Sequence, residues 1–460
     1  MSKRISKEFQ LEGKITALYK DLDSLLCRNW ERLRAEVDQF ETTAAQSHVR
    51  YAGKSLLITF YPFILSEAQA LHISQMVEAM IRLMEKTTRL FLQEPAIRHA
   101  FGFKPEQVEL IEVDPGYEPS IPCARFDSFF DGRNLRFTEL NTDGTSGMDG
   151  AEKVAKLFVT SPTMREFFSS RPIKVFDINQ SVLQTLVDCN RQFAGGNPAE
   201  SPRIAIVDWK GVATSAEFEA FAEFCKERGY DAVVADPREL EYDGRVLSHG
   251  GLKIDIIYRR VVSHEYVERL KEVGAMTRAF KDHNVCVVGS FRSDVAFNKK
   301  TFGVLQNPEF SRFFTEEERE LVSKHVPWTH ALEDVEGDYH GERGNVLDLV
   351  REHKDELVLK PSDLYGGKGV YFGIQADSDE WERMVQNELG KDYIVQEFIT
   401  IPSMPIGVWN KELRMETRLI HLGEYVFGGK FCGFYCRAAD RPVLNRVSRE
   451  LLVPCLVLKN

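Results

Sequence analysis

The segment RFTELNTDGTSGM, residues 136 to 148, concentrates side chains able to hold a hard cation. Residues 135 to 141 alternate apolar and polar, which reads as a strand placing Glu139 and Asn141 on one face. A second strand, residues 123 to 129, precedes it and carries Arg125 and Asp127. Between them, Asp131-Gly132-Arg133-Asn134 suits a hairpin turn, which lets Asp127 join Glu139 and Asn141. Two carboxylates and an amide oxygen converging on one spot form a cage for Mg²⁺, an ion that keeps some waters and binds substrate phosphates. An edge hairpin with solvated charges is the plain alternative.

A second constellation lies more than two hundred residues later. ELVLKPSDLYGGKGVYFG, residues 356 to 373, reads as strand, lysine, flexible loop, strand. Lys360 ends the apolar run Leu357-Val358-Leu359, which fixes its stem and leaves the ammonium able to reach phosphate. Gly366, Gly367 and Gly369, with Lys368 among them, allow positive φ and close approach of backbone N–H groups to an anion. No helix starts after the glycines, so this is neither the P-loop nor the dinucleotide fingerprint. An ordinary hairpin loop is the plain alternative. A helix capped by Asp377 with Glu380 follows, then a strand through Gln396-Glu397-Phe398-Ile399.

Together these parts resemble the ATP-grasp ligases. In that family a strand lysine and a glycine-rich loop cover the triphosphate, a hinge strand ending in Gln/Glu-Glu meets adenine, and Asp with Glu-x-Asn holds magnesium. Lys360, the loop 365–369, Gln396-Glu397-Phe398-Ile399, and Asp127 with Glu139 and Asn141 match those parts. Their order is rotated, with the metal strands before the lysine and loop. That order is similar to the circularly permuted ATP-grasp group, which includes glutathionylspermidine synthetase-like enzymes and eukaryotic glutathione synthetase. The resemblance covers roughly residues 115 to 150 and 200 to 440.

It implies an α/β (α+β) ATP-grasp fold using ATP and Mg²⁺ to join a small-molecule carboxylate to an amine through an acyl phosphate. Lys299, with Lys300 as the alternative, resembles the family's first lysine, which approaches the phosphates from the opposite lobe. Arg125 would stabilise the acyl phosphate. Arg414 and Arg437 resemble late-strand arginines that contact phosphate or substrate carboxylate. They are expected on strands 414–420 and 425–438, joined by a turn at Leu422-Gly423-Glu424. One departure is Asn445-Arg446-Val447-Ser448, which lacks the glycine pair that family members carry near an asparagine. A phosphotransferase using the same cage, or a nucleotide-binding scaffold without turnover, stays open.

The positioning elements follow from periodicity. Residues 1–114 read mainly as helices, with Leu18, Leu22, Leu25, Leu26 and then Met76, Met80, Leu83, Met84 at helical spacing. The hairpin region 115–150 is followed by a helical connector, 151–200. An α/β region, 201–297, opens with a strand at 203–209 and a helix started by a Thr214/Glu217 capping box. Strands near 231–235, 254–259 and 285–289 complete a parallel sheet. Arg259 and Arg260 end one of them, where open α/β sheets present ligand contacts, with a surface salt bridge as the expected role. Residues 298–460 would hold the nucleotide-binding lobes.

Composition agrees with this reading. With 460 residues, 43% hydrophobic and 28% charged, the chain reads as an ordinary globule of two or three subdomains. A net charge of −11 argues against nucleic-acid or anionic-membrane surfaces. The start Met1-Ser2-Lys3-Arg4 continues into polar sequence, unlike a signal peptide, and the most apolar stretch, residues 56 to 65, is short and broken by Pro62. Eight cysteines without a CxxC pattern are expected reduced in a cytoplasmic protein. Oligomeric state stays open, a homodimer included.

Overall fold

The computed structural model describes residues 5–410, 412–442 and 450–460. The hairpin of residues 123–141 forms as expected, with strands Cys123–Phe130 and Leu135–Asn141 antiparallel and Asp127 directly opposite Glu139. Asp131 fixes the turn, its carboxylate accepting from the Arg133 and Asn134 backbone N–H groups at 2.9 and 2.7 Å.

This hairpin is built into a seven-stranded sheet. Its spine is the long strand Glu412–Phe427. Ile401–Asn410 pairs along the first half of the spine, and Lys430–Ala439 along the second. Cys123–Phe130 takes the other side of the second half, with Gly423 opposite Asp127 and Tyr425 opposite Arg125. The sequence expectation of a turn at 422–424 is therefore corrected, because those residues sit mid-strand. The chain reverses instead at Gly428-Gly429, both at positive φ (55° and 76°), as a tight two-residue hairpin demands.

Gly423 is there for space. A Cβ on it would lie 2.9 Å from Arg125 Cδ and 3.2 Å from Tyr435 Cβ. Arg125 cannot swing aside easily, since its guanidinium is held at the far end. Gly423→Ala is expected to cost about 1–3 kcal/mol of stability through overpacking. Urea unfolding would read this as a lower midpoint, and an unchanged midpoint would mean that Arg125 has room to move.

A second lobe carries the glycine loop. Its four-stranded antiparallel sheet runs Thr329–Ala331, Tyr393–Glu397, Leu357–Pro361, Tyr371–Phe372. The lobe has its own core, in which Trp381 from the helix Ser378–Glu388 packs beside Val350, Leu359 and Val395. The Asp377/Glu380 capping box expected at that helix is present.

The third unit is the α/β region. Strands Cys286–Val288, Ile256–Arg259, Ile204–Val207 and Ala232–Ala235 lie in that order, all parallel. Its helix Ser215–Glu227 starts after Thr214, but the Thr214 side chain makes no cap bond. Glu217 reaches across instead, its carboxylate accepting from the backbone N–H groups of Gly147 and Met148 at 2.9–3.1 Å. That places a negative charge at the N-terminus of the helix Met148–Thr160, where the helix dipole favours it. A tertiary contact thus replaces the expected local one.

The N-terminal region is helical as expected, with Gly13–Arg28, Trp30–Gln46 and Glu67–Gln93. Its strands were not legible in the sequence. Ser6–Glu8 joins the large sheet beside Ile401–Asn410, and Phe63–Ser66 pairs with Cys455–Leu458 near the C-terminus. The cysteines are all free thiols. Among the described residues, no helix is long and apolar enough to cross a membrane.

Candidate active site

The hairpin, the glycine-loop lobe and the α/β region enclose one cleft of about 1260 Å³. Arg125, Asp127, Glu139, Asn141, Lys299, Lys360, the loop residues Gly366, Gly367 and Lys368, Gln396 to Ile399, and Arg437 all line it. These residues come from stretches of chain up to three hundred positions apart. Gly369, at φ 67°, closes the loop against Tyr393 and Pro361.

Two lysines line the cleft. Lys360 Nζ donates to Gln396 Oε1 at 2.7 Å, and Gln396 in turn donates to Thr329 Oγ1 at 3.0 Å. Burial holds the Lys360 ammonium down to about 8, with the Glu139 carboxylate opposing that shift and Lys299 adding to it. Lys299 Nζ donates to the Leu364 carbonyl at 2.7 Å and lies 3.4 Å from Glu139 Oε2. Lys300 points elsewhere, pairing with Asp392 at 2.6 Å and donating to the Phe101 carbonyl. Of the two neighbours, Lys299 lines the cleft and Lys300 does not.

Asp127 is the most heavily engaged acid. Arg125 donates to both its oxygens, at 2.6 and 3.0 Å, and Arg437 donates to Oδ2 at 3.1 Å. Burial alone would raise its pKa, yet the two guanidinium groups hold it below the usual carboxylate range. Arg125 also donates to the Ser146 carbonyl at 2.7 Å. The Tyr435 ring lies beside both cations, 5.1 Å from the Arg125 guanidinium carbon and 4.8 Å from that of Arg437.

Glu139 and Asn141 fit a hard cation better than Asp127 does. The Glu139 side chain keeps 26% exposure toward the cleft. The Asn141 amide nitrogen is buried with no hydrogen-bond partner. Amide nitrogen and oxygen exchange by a simple flip, so the group can turn its oxygen to an ion. Asp127 already accepts three guanidinium hydrogen bonds, which leaves it less free to turn to an ion.

Other sequence-derived candidates fall differently. Glu397 lines the cleft, but its carboxylate accepts from Arg136 at 2.9 Å and so ties the strand Tyr393–Glu397 to the strand Leu135–Asn141. The Phe398 N–H donates to the Glu356 carbonyl at 2.6 Å, leaving its ring to face Phe372. Arg414 is exposed on the spine strand and does not line the cleft. The segment 445–448 lies outside the described residues. Arg259 and Arg260 are buried, at 2% and 3% exposure, which corrects the surface role expected of them. Arg259 pairs with Asp143, and Arg260 donates to Tyr258 Oη at 2.9 Å and to the Gly144 carbonyl at 3.3 Å.

His421 was not singled out in the sequence. It lines the cleft from the spine strand, opposite Arg437 in register. Burial, with Arg437 adding to it, pushes its imidazole down to about 3, so it is neutral at ordinary pH. A lone histidine on an alternating strand carries no motif that would have flagged it.

Comparison with known proteins places the chain in a family. A family model described as a circularly permuted ATPgrasp matches residues 157–399, more than half of the chain. The chain belongs to the circularly permuted ATP-grasp family. A curated relative from Frankia casuarinae, named "Putative glutamate--cysteine ligase 2-2", is 23% identical over 261 residues, 54% of this chain and 27% of that protein. The chain spans about a quarter of that relative's length. The solved structure of a glutathione synthetase-like effector from Globodera pallida, in its apo form, superposes with a TM-score of 0.59 at 14% identity. It covers 93% of this chain and 97% of its own. That likeness concerns the fold.

Proposed function

We propose that this chain is an ATP- and Mg²⁺-dependent carboxylate–amine ligase acting on small molecules and working through an acyl phosphate. The observation that carries the reading is the single cleft in which two phosphate-seeking lysines, an unpartnered Asn141 beside Glu139, and two guanidinium groups on Tyr435 meet. A carboxylate is a poor electrophile, so amide formation needs its oxygen converted into a leaving group. Transfer of the γ-phosphoryl group of ATP does that, and an amine then displaces phosphate.

Lys360 and Lys299 would hold the phosphates from opposite lobes, since charge and position dominate phosphoryl transfer. The glycine loop brings its backbone N–H groups over them. Mg²⁺, when bound, neutralises charge on the transferring group; Glu139 and Asn141 would hold it. Arg125 and Arg437 would face the carboxylate and the oxyanion that develops on it, with Asp127 fixing both guanidinium planes. Gln396 to Ile399 would wall the adenine.

Hydroxylamine tests the reaction class. With a carboxylate substrate present, it should replace the amine and give one hydroxamate per ADP released. A stable phosphorylated alcohol would move the assignment to phosphotransferase. ADP release stimulated by an acid without any hydroxamate would remove the acyl phosphate from the scheme.

A further inference from the structure

An acyl phosphate is open to attack by water, so what closes the cleft bears on whether ATP consumption is coupled to bond formation. The glycine loop is anchored at its base, where the Lys299 N–H donates to the Ser362 carbonyl at 2.8 Å and Lys299 Nζ to the Leu364 carbonyl. Its far side carries one specific tie. Tyr365 Oη donates to Glu265 Oε1 at 2.8 Å, across a hundred residues of sequence.

Glu265 lies on the short helix Ser263–Glu268 of the α/β region, shortly after the strand Ile256–Arg259. That helix is itself moored to the metal hairpin. The Ser263 N–H donates to Asp143 Oδ2, and Arg259 pairs with the same carboxylate. The Tyr365 ring is flanked by His264, with ring centroids 6.3 Å apart, and by Lys368 Nζ 5.1 Å from the ring. Tyr365, Glu265, Gly366 and Lys368 all line the cleft. The contact therefore joins the loop, the α/β region and, through Asp143, the metal hairpin along one side of the cleft.

We infer that Tyr365 and Glu265 are positioning residues that latch the glycine loop to the α/β region and so keep water from the acyl phosphate. This rests on the ligase reading above. Neither residue touches the reacting atoms. Burial, and then the Glu265 carboxylate, raise the Tyr365 phenol above its ordinary value, so it stays a donor throughout the working pH range. With the latch open, water attacks the acyl carbon in place of the amine. The bond from that carbon to the phosphate-bearing oxygen breaks, phosphate leaves, the proton passes to solvent and the starting acid returns. Each such event consumes one ATP and forms no amide.

The test is the ratio of ADP released to hydroxamate formed, in wild type, Tyr365→Phe, Glu265→Ala and Glu265→Gln. Removing either latch partner should raise the ratio at least threefold. Glu265→Gln, whose amide oxygen still accepts from the phenol, should restore a ratio near that of wild type. The double variant Tyr365→Phe/Glu265→Ala should be no more uncoupled than either single one. Hydrogen exchange of amides 362–370, followed without substrates, should speed up in Tyr365→Phe and stay at the wild-type rate in Glu265→Gln. That measurement judges the latch even if the enzyme proves not to be a ligase, whereas hydroxamate formation by wild type judges the ligase reading. Unchanged exchange and unchanged coupling in Tyr365→Phe would overturn the latch. So would equal uncoupling in Glu265→Gln and Glu265→Ala.

Discussion

Glu139→Gln is expected to lower turnover by about 10²–10³-fold, the usual scale for removing a group that stabilises developing charge in an enclosed site. The fold should hold, because the side chain is open to the cleft and not packed in the core. Far-ultraviolet circular dichroism would check that. The loss should also move the Mg²⁺ concentration needed for half-maximal rate upward, since a neutral amide is a weaker ligand than a carboxylate for a hard cation. Asp127→Asn supplies the contrast. Asp127 is the shared partner of Arg125 and Arg437, so its loss should lower the rate while leaving the Mg²⁺ requirement near that of wild type. A shifted Mg²⁺ requirement in Asp127→Asn, with none in Glu139→Gln, would return Asp127 to the cage and remove Glu139 from it.

The second large effect concerns nucleotide. Lys360→Ala should weaken binding of a non-hydrolysable ATP analogue by about 1.5–3 kcal/mol, roughly 10- to 150-fold, for loss of a charge-assisted phosphate contact. Lys324→Ala is the control, since Lys324 is an exposed helix residue paired with Glu320. Equal affinities in the two variants would rule out the phosphate role.

Lys360 also sets a pH dependence whose sign is fixed. In the free protein its ammonium titrates near 8, held there by burial. Phosphates beside it favour the charged form, so its pKa rises when nucleotide binds. Binding then takes up protons at pH above about 8, and affinity should be flat below that point and fall as pH rises through it. The slope approaches about tenfold per pH unit between the free and bound values. Lys360→Arg should bind without this decline, because guanidinium does not titrate there. Calorimetry between pH 7 and 9.5 would compare the two; parallel profiles would assign the decline to another group.

Much of this protein was legible in its sequence, and the reasons are local. Alternation over 123–129 and 135–141 brackets a turn of Asp131-Gly132-Arg133-Asn134, and a two-stranded hairpin is fixed by such signals alone. The same holds for the strand Leu357–Pro361 that carries Lys360, the positive-φ glycines after it, and the Asp377/Glu380 capping box. Rotation of the motif order was enough to indicate the permuted family that the matched segment bears out.

What stayed hidden depends on partners distant in sequence. Glu217 has the spacing of a local capping box, yet the N-terminus of another helix offers it two unsatisfied N–H groups. Leu422-Gly423-Glu424 reads as a turn because glycine usually marks one. Here it marks the place where Arg125 crosses the sheet. Adjacent residues such as Lys299 and Lys300 cannot be ranked from composition, since their directions follow from the backbone of a short helix start and from Asp392, ninety residues on.

The sequence by itself determined the residue types, their local strands and loops, and the hard-oxygen and cationic chemistry they offer. Only the tertiary structure decided which acid pairs with arginine and which stays open to the cleft, and which lysine lines it. It also joined Tyr365 to Glu265. The physical reason is that hydrogen bonds and hydrophobic alternation act over a few residues, whereas charge pairing, desolvation and close packing are settled by whatever the completed fold brings within about 4 Å.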